Sequence, residues 1–404
     1  MKKQILITAC SMDIGGIERS LVGLLNTFDY DKYDVDLLLF SKKGELLSLI
    51  PSRCNILPEN PKLASFQKPI KEAALSGCIL PAAARLFSKF MINILPTGKR
   101  IRNKKDSGAS LLQAYWDYSI QLMPKIDKKY DAVLSFMWPH HFAAKKVIAD
   151  YKIAWIHTDY NELKLNNKKD AAVWKHFDKI AAVSDECGSA FLSVYPFFND
   201  NLITIENILP GEFVRRESEK FIPEDMPVGN ELVILSVGRF CYAKAFDFAV
   251  DICKKLVDDK INVKWYIIGF GSEEMIIRNK IKELDLMENF IILGKKSNPY
   301  PYIKACDIYV QPSRYEGKAV TVREAQMLGK PVIISNFRTS ASQVKAGYDA
   351  IISPMNSNDM AGNIITLLND VSLRKKLIEN SLASDYSNIG QIEKIYSLLE
   401  YKGN

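Results

Sequence analysis

Short apolar runs alternate along the chain with segments whose apolar residues recur every three or four positions. In the first half the runs are Ile5–Ala9, Val35–Phe40, Ala132–Phe136, Ile153–Ile156, Ile180–Val183 and Leu202–Ile205. In the second half they are Val233–Val237, Trp265–Ile268, Ile291–Leu293, Ile308–Val310, Val332–Ile334 and Ala350–Ile352. Between them the spacing is helical, as in Ile17, Leu21, Leu24, Leu25 and Phe28, and one helix is expected to end at Gly329 ahead of Pro331. Buried strands alternating with helices predict parallel sheets covered on both faces, an α/β fold of two doubly wound domains with ligands at the carboxyl ends of the strands across a cleft. The stretch 207–230, with Pro210, Gly211, Pro223, Pro227 and Gly229, reads as the linker. The expected division is 1–206, with an insertion at about 60–125, then 207–385, with 386–404 as a helix crossing back to the first domain.

A chain of 404 residues is long enough for two such cores. Its seven cysteines are scattered without a CxxC pair, which predicts reduced thiols in a cytosolic protein and no zinc site. The lysines at 2 and 3 before an apolar run resemble a signal peptide, but Ser11-Met-Asp-Ile-Gly-Gly16 follows at once, so a first strand is expected. No apolar stretch of 18 residues exists to form a conventional membrane span. The formal charge of +7 is uneven: residues 1–207 carry 28 basic against 22 acidic residues, the remainder 26 against 25. Residues 68–105 alone hold nine basic residues and one acid, so the field is local and nucleic acid is not an expected partner. Between Pro81 and Pro96, Ala83, Leu86, Phe87, Phe90, Met91 and Ile94 share one helical face, with Arg85, Lys89 and Asn93 opposite. Flanked by Lys68, Lys71 and Lys99–Lys105, this helix either packs into the core or lies on an anionic membrane surface through Arg85, Phe87 and Lys89.

The chemistry gathers in the second half. Ser236-Val-Gly238-Arg239-Phe240 closes a strand and Lys244 opens the next helix, so Gly238 permits a tight turn and two cations project from a strand end. Together Arg239 and Lys244 suit a diphosphate. After the strand at Ile308–Val310 comes Gln311-Pro-Ser-Arg-Tyr-Glu316-Gly-Lys-Ala-Val-Thr-Val-Arg-Glu324-Ala325, in which two glutamates stand eight positions apart. Loop amides at a helix start make an anion site, Glu316 can accept from sugar hydroxyls and Glu324 from the two hydroxyls of a ribose. Taken singly each glutamate is as well explained by amide capping or a solvated helix face; jointly with the glycine, arginine and lysine they read as a site. Asp34-Val-Asp36 starts a strand and is not taken as a metal motif. Gly269-Phe-Gly271 lacks the third glycine of a dinucleotide fingerprint, and His140-His141 show no metal-ligand spacing.

This set of motifs resembles glycosyltransferase family 4, retaining nucleotide-sugar enzymes of the GT-B fold, of the bacterial surface-polysaccharide type. The resemblance is strongest over 233–335 and weakest over 60–125. In the first half Gly15-Gly16-Ile-Glu18-Arg19 is similar to the family's glycine loop, and Ile153-Ala-Trp-Ile-His157-Thr-Asp159 and Ala182-Val-Ser184 to its later strand ends. It implies that Arg239 and Lys244 neutralise the donor diphosphate, that Glu324 binds the ribose, and that Glu316 with the amides near Gly317 and Lys318 contacts the donor sugar. Gly16 would approach the phosphate or acceptor and His157 would lie beside the anomeric centre, with Asp159 on the acceptor side. Two departures stand out: Ala245 replaces the glycine that follows the lysine, and Asn207-Ile208 replaces Asn-Gly after the last strand of the first domain.

The function implied is transfer of a sugar from a UDP-sugar, ahead of a GDP-sugar, to a lipid-linked glycan in capsule, exopolysaccharide or lipopolysaccharide synthesis. It would occur at the cytoplasmic face of the cell membrane, with peripheral attachment and no metal. A double displacement needs a carboxylate nucleophile, and nothing in the sequence makes His157 or Asp159 one; front-face transfer assisted by the leaving phosphate is the expected mechanism. A nucleotide-sugar epimerase and a non-catalytic nucleotide-sugar-binding protein of the same architecture are the alternatives.

Overall fold

The computed structural model describes residues 2–94, 107–226 and 229–400. They form two compact units: one holds residues 1–13, 21–206 and 390–404, the other 14–20 and 207–389.

The first unit is built on a seven-stranded parallel sheet. Its strands are β1 (Lys3–Ala9), β2 (Tyr33–Leu39), β3 (Asn55–Ile56), β4 (Ile126–Ser135), β5 (Val147–Ile156), β6 (Lys179–Ala182) and β7 (Leu202–Thr204), in the order β3-β2-β1-β4-β5-β6-β7. Ile5, Leu6 and Ile7 on β1 are all fully buried, as a central strand covered on both faces requires. Helix α1 (Gly16–Thr27) leaves β1, and its first turn counts with the second unit. Helices α2 (Ile79–Ile94) and α3 (Ser107–Ser119) pack together in the segment between β3 and β4. Asp36, part of the discounted Asp-Val-Asp, accepts from Lys128 at 2.8 Å, Tyr130 at 2.8 Å and Asn55 at 2.6 Å, so its carboxylate ties strands together.

The second unit carries a six-stranded parallel sheet. Strands β8 (Leu232–Val237), β9 (Val263–Ile268), β10 (Phe290–Gly294), β11 (Ile308–Gln311), β12 (Val332–Ser335) and β13 (Ile351–Ser353) run in the order β10-β9-β8-β11-β12-β13. Alternation splits the side chains between two cores: Val233, Leu235 and Val237 enter one, Leu232 and Ile234 the other. The stretch read as a linker is folded. Helix α4 (Gly211–Ser218) starts at its Pro-Gly pair, and Leu209, Val214 and Met226 join the first of these cores. Helices α5 (Phe246–Asp258), α6 (Tyr300–Ala305) and α7 (Val320–Met327) follow β8, β10 and β11. The last helix, α8 (Gln391–Glu400), belongs to the first unit, where Tyr396 stacks on Tyr33 at 5.1 Å and meets Phe28 edge-on at 5.8 Å. All seven cysteines are free. Among the described residues no helix is long and apolar enough to cross a membrane.

The basic segment is arranged differently from its helical wheel. Arg85 is buried: its guanidinium donates to the carbonyls of Ser65 at 2.6 Å and Lys68 at 2.9 Å and lies 5.2 Å over the Tyr115 ring. Burial pushes its pKa down. Arg85 therefore cannot meet a membrane. The inner side of α2 is instead small, with Ala82 and Ser88 buried and the Ser88 hydroxyl on the Ala84 and Ala114 carbonyls. The apolar row faces outward: Ile79, Leu80, Leu86, Phe87 and Phe90 are 49–68% exposed, and Lys89 is exposed beside them. Asn93 and Ile94, as side chains, and Lys99–Lys105 lie outside what the structure describes.

Candidate active site

In the second sheet the strand order reverses between β8 and β11, and a doubly wound sheet binds ligands at the carboxyl ends of the strands flanking such a reversal. The loop after β8 carries Gly238, Arg239 and Lys244; the loop after β11 carries Ser313, Arg314 and Glu316. The structure thus places both expected cations on the loop beside the one that carries the first glutamate, and Lys244 meets Glu316 directly.

Gly238 lies close under Lys244: a Cβ there would meet the Lys244 stem at 3.2–3.4 Å. The discounted pair Gly269 and Gly271 supports the same loop. Gly238 and Phe240 donate backbone bonds to Ile268 at 2.9 Å and Phe270 at 2.8 Å, and a Cβ at Gly269 would sit 1.8 Å from the Gly238 carbonyl oxygen. These glycines give the Arg239 loop its course. Arg239 itself is exposed and has no ion-pair partner among the described residues. Ala245, standing where the resemblance expects glycine, adopts φ 56° in the left-handed region, so the backbone keeps the turn.

Lys244 donates to Glu316 Oε1, which also accepts from the Ser313 hydroxyl at 2.6 Å. Ser313 in turn accepts from the Gln311 amide at 2.9 Å, and Thr339 donates to the Glu316 carbonyl at 2.8 Å. Arg314 closes the loop pair from the other side. Its guanidinium makes two bonds to Asp247 at 2.8 and 2.6 Å and a third to the Tyr242 carbonyl at 2.8 Å. Burial alone would raise the Asp247 pKa, but Arg314 outweighs it and holds the carboxyl below its ordinary value. Gly317 and Lys318 are buried, and the Ala319 amide at the start of α7 is taken by the Gln343 side chain at 2.6 Å.

Glu324 is not the solvated helix residue that a helical wheel allows. It has no exposed surface; Arg19 Nη1 donates to Oε2 at 2.9 Å and Tyr300 to Oε1 at 2.9 Å. Arg19 is 6% exposed and lies 5.5 Å over the Tyr300 ring. Burial lowers the Arg19 pKa, yet the Glu324 charge and hydrogen bond, with Tyr300 and Tyr309, together outweigh it and the net shift is upward. A ribose can reach this carboxylate only if a covering group gives way. Gly16, three residues before Arg19, is exposed, and a Cβ there would meet only Val320 at 3.8 Å, so the protein itself does not demand glycine at that position. Asn207 is buried and accepts from Ser20 at 2.6 Å, a structural bond.

In the first unit, His157 follows β5 and Nε2 lies 2.9 Å from the Phe136 carbonyl, so Nε2 carries the hydrogen and Nδ1 is the acceptor. Burial pushes its pKa down to about 4, against the Phe136 bond, and the ring is neutral at pH 7. Asp159 is buried and caps a short turn, its Oδ1 accepting from the Asn161 amide at 3.0 Å and the Asn161 side chain at 3.1 Å. Among the described residues no three His, Cys, Asp or Glu side chains are grouped to hold a metal ion. Arg19, Arg314, Asp247 and Tyr300 were not singled out as site residues on sequence grounds, although Arg19 and Arg314 lay inside quoted motifs.

Residues 218–383 match the family described as glycosyl transferases group 1. An Escherichia coli UDP-Gal:alpha-D-GlcNAc-diphosphoundecaprenol alpha-1,3-galactosyltransferase is 24% identical over 177 residues, 42% of this chain and 45% of the relative. A Campylobacter jejuni N-acetylgalactosamine-N,N'-diacetylbacillosaminyl-diphospho-undecaprenol 4-alpha-N-acetylgalactosaminyltransferase is 28% identical over 154 residues, 38% of this chain and 41% of the relative. The chain thus spans less than half the length of each of these two curated relatives. The solved structure of Anabaena Alr3699/HepE in complex with UDP and glucose superposes with a TM-score of 0.70 at 15% identity, covering 99% of this chain and 100% of that one. Residues 218–383 are therefore similar to the group 1 glycosyl transferases, and the chain has the GT-B fold.

Proposed function

We propose that the protein is a retaining glycosyltransferase that moves a sugar from a nucleoside-diphosphate sugar, UDP ahead of GDP, to a lipid-linked glycan. The pathway class is bacterial surface polysaccharide. The observation that carries this reading is the Lys244–Glu316 contact at the β8/β11 reversal, with Arg239 on the same loop as Lys244 and Glu324 on the helix that follows. The undecaprenol-linked substrates named for two relatives support a lipid-linked acceptor, and the UDP in the structural relative supports the donor.

In this reading the diphosphate meets Arg239 first, since that cation has no acidic partner. Lys244 then exchanges Glu316 for a phosphate oxygen, leaving Glu316 to accept from the donor sugar hydroxyls. The bond from the anomeric carbon to the phosphate oxygen breaks, the bond to the acceptor oxygen forms on the same face, and the acceptor proton passes to the departing phosphate. Two side-chain cations stabilise that departure, and no metal is needed. Neutral His157 supplies an Nδ1 acceptor for a sugar hydroxyl. The room left at Gly16 suits close approach of a ligand. The outward apolar row of α2, with Lys71 and Lys89, attaches the protein peripherally to an anionic membrane at its cytoplasmic face. Glu324 holds the ribose once its cover opens.

The test is turnover of UDP-sugars with a polyprenyl-diphosphate glycan, with product analysis. Arg239→Ala and Lys244→Ala should each lower kcat by roughly a hundredfold or more. Near-wild-type turnover in both folded variants, or an epimerised donor as the product, would overturn the reading.

A further inference from the structure

Arg314 makes no contact expected of a ligand-binding residue. Among the described residues every hydrogen bond its side chain makes falls on residues 242–247, the stretch that presents Lys244. Two nitrogens grip Asp247 in a bidentate pair, one also holds the Tyr242 carbonyl, and the guanidinium carbon lies 4.3 Å from the Tyr242 ring. The backbone adds a fourth tie, with the Arg314 amide donating to the Ala243 carbonyl at 2.7 Å. The side chains of the pair are 21% and 25% exposed, shielded enough for the geometry to matter. The gripped stretch is a short 3-10 turn, Tyr242–Lys244, that runs into a left-handed Ala245, a conformation an L side chain seldom adopts. Asp247 lies in the first turn of α5, where a carboxylate is favoured, so the anchor point is itself firm.

We propose that Arg314 is a positioning residue for sugar transfer, fixing the 242–247 loop so that the Lys244 ammonium is held at the diphosphate. This rests on the reading of Lys244 as a diphosphate ligand. Arg314 reaches the chemistry only through the loop, and lysine cannot replace it, because a point charge does not reproduce the fork that spans both Asp247 oxygens.

The experiment is a double-mutant cycle on steady-state transfer from UDP-sugar, with melting curves for each variant. Arg314→Ala should lower kcat by about tenfold to a hundredfold, the range a 1 Å misplacement produces, and Arg314→Lys should recover only part of it. In the Lys244→Ala background the further loss from Arg314→Ala should fall to within about twofold, since the group being positioned is gone. The charge swap Arg314→Asp with Asp247→Arg keeps the pair should Arg314→Ala fail to fold, and should retain more turnover than Arg314→Asp alone. Wild-type turnover in Lys244→Ala would overturn the diphosphate reading itself. A strong Lys244→Ala defect with a full, multiplicative loss from Arg314→Ala would overturn the positioning role alone.

Discussion

Replacing Arg19 with Met isolates the most buried ion pair of the second unit. Arg19 and Glu324 are 6% and 0% exposed, 2.9 Å apart, and the second carboxylate oxygen is held by Tyr300 at 2.9 Å. Met keeps most of the volume and removes the charge, leaving Glu324 sealed with one hydroxyl for company. Removing one partner of a buried pair destabilises by about 3–5 kcal/mol, because the charge left behind is neither solvated nor paired. At roughly 2–4 °C per kcal/mol for a unit of this size, the melting temperature should fall by about 6–20 °C. Glu324→Gln should be comparably harmful, for it strands the guanidinium. The double variant Arg19→Met with Glu324→Gln removes both charges and should be more stable than either single variant, as apolar replacement of a whole buried pair is often close to neutral. Urea unfolding of the four proteins gives the coupling directly. Single variants that lose less than about 1 kcal/mol would show that the pair behaves as an exposed one and that Glu324 is not sealed. Nucleotide-binding data on Glu324 variants need this stability baseline beside them.

Two further outcomes follow from the first unit. Leu86→Ser with Phe90→Ser should weaken binding to anionic vesicles by about 2 kcal/mol, roughly thirtyfold, since both side chains are more than half exposed on α2; unchanged flotation would remove the membrane role of that face. His140 is 1% exposed, its Nδ1 lies 2.8 Å from the Ser135 hydroxyl, and burial, with repulsion from His141 and His157, pushes its pKa down to about 3. The unfolded chain binds a proton near pH 6.5 and the folded one does not, so this stability is present above 6.5 and lost as pH falls towards 3. Between pH 7 and 4.5 the wild type should therefore lose about 2–3 kcal/mol more than His140→Gln, read by urea unfolding at both values, and equal losses would refute it.

The strand framework was legible because buried parallel strands are short apolar runs, and each run named in the sequence lies within or one residue beyond an observed strand. Their starts were not: β4 and β5 begin at Ile126 and Val147 and run through the polar residues Asp127–Lys129 and Asp150–Lys152, held there by pairing with each other and not by burial. The two-residue β3 is too short to leave a pattern. The stretch 207–230 misled because Pro210 and Gly211, strong turn signals inside a sequence, also sit comfortably at a helix start, which is where they lie. Helix α2 misled in a different way. A wheel separates an apolar from a polar face but does not say which is inward. Small Ala82 and Ser88 allow close packing on α3, and Arg85 finds two carbonyls there, so the nominally polar side went in.

At the site, the loops were legible and their internal wiring was not. Glycine, arginine, lysine and the two glutamates announce themselves through local spacing and through position after a strand. The partners that govern them are remote in sequence: Lys244 and Glu316 are 72 residues apart, Arg314 and Asp247 are 67 apart, Arg19 and Glu324 are 305 apart. No periodicity relates such positions; the strand order, which sets β8 beside β11, brings the first two pairs into contact, and the third joins helices α1 and α7. The consequence is chemical. A list of residues describes two cations, Arg239 and Lys244, waiting for an anion, whereas the folded chain gives Lys244 an internal carboxylate and leaves Arg239 exposed. Binding at such a site is an exchange of partners. On the proposed reading of Lys244, affinity for the donor is set by the difference between a phosphate and a carboxylate as its partner, not by the whole attraction of a phosphate for a lysine.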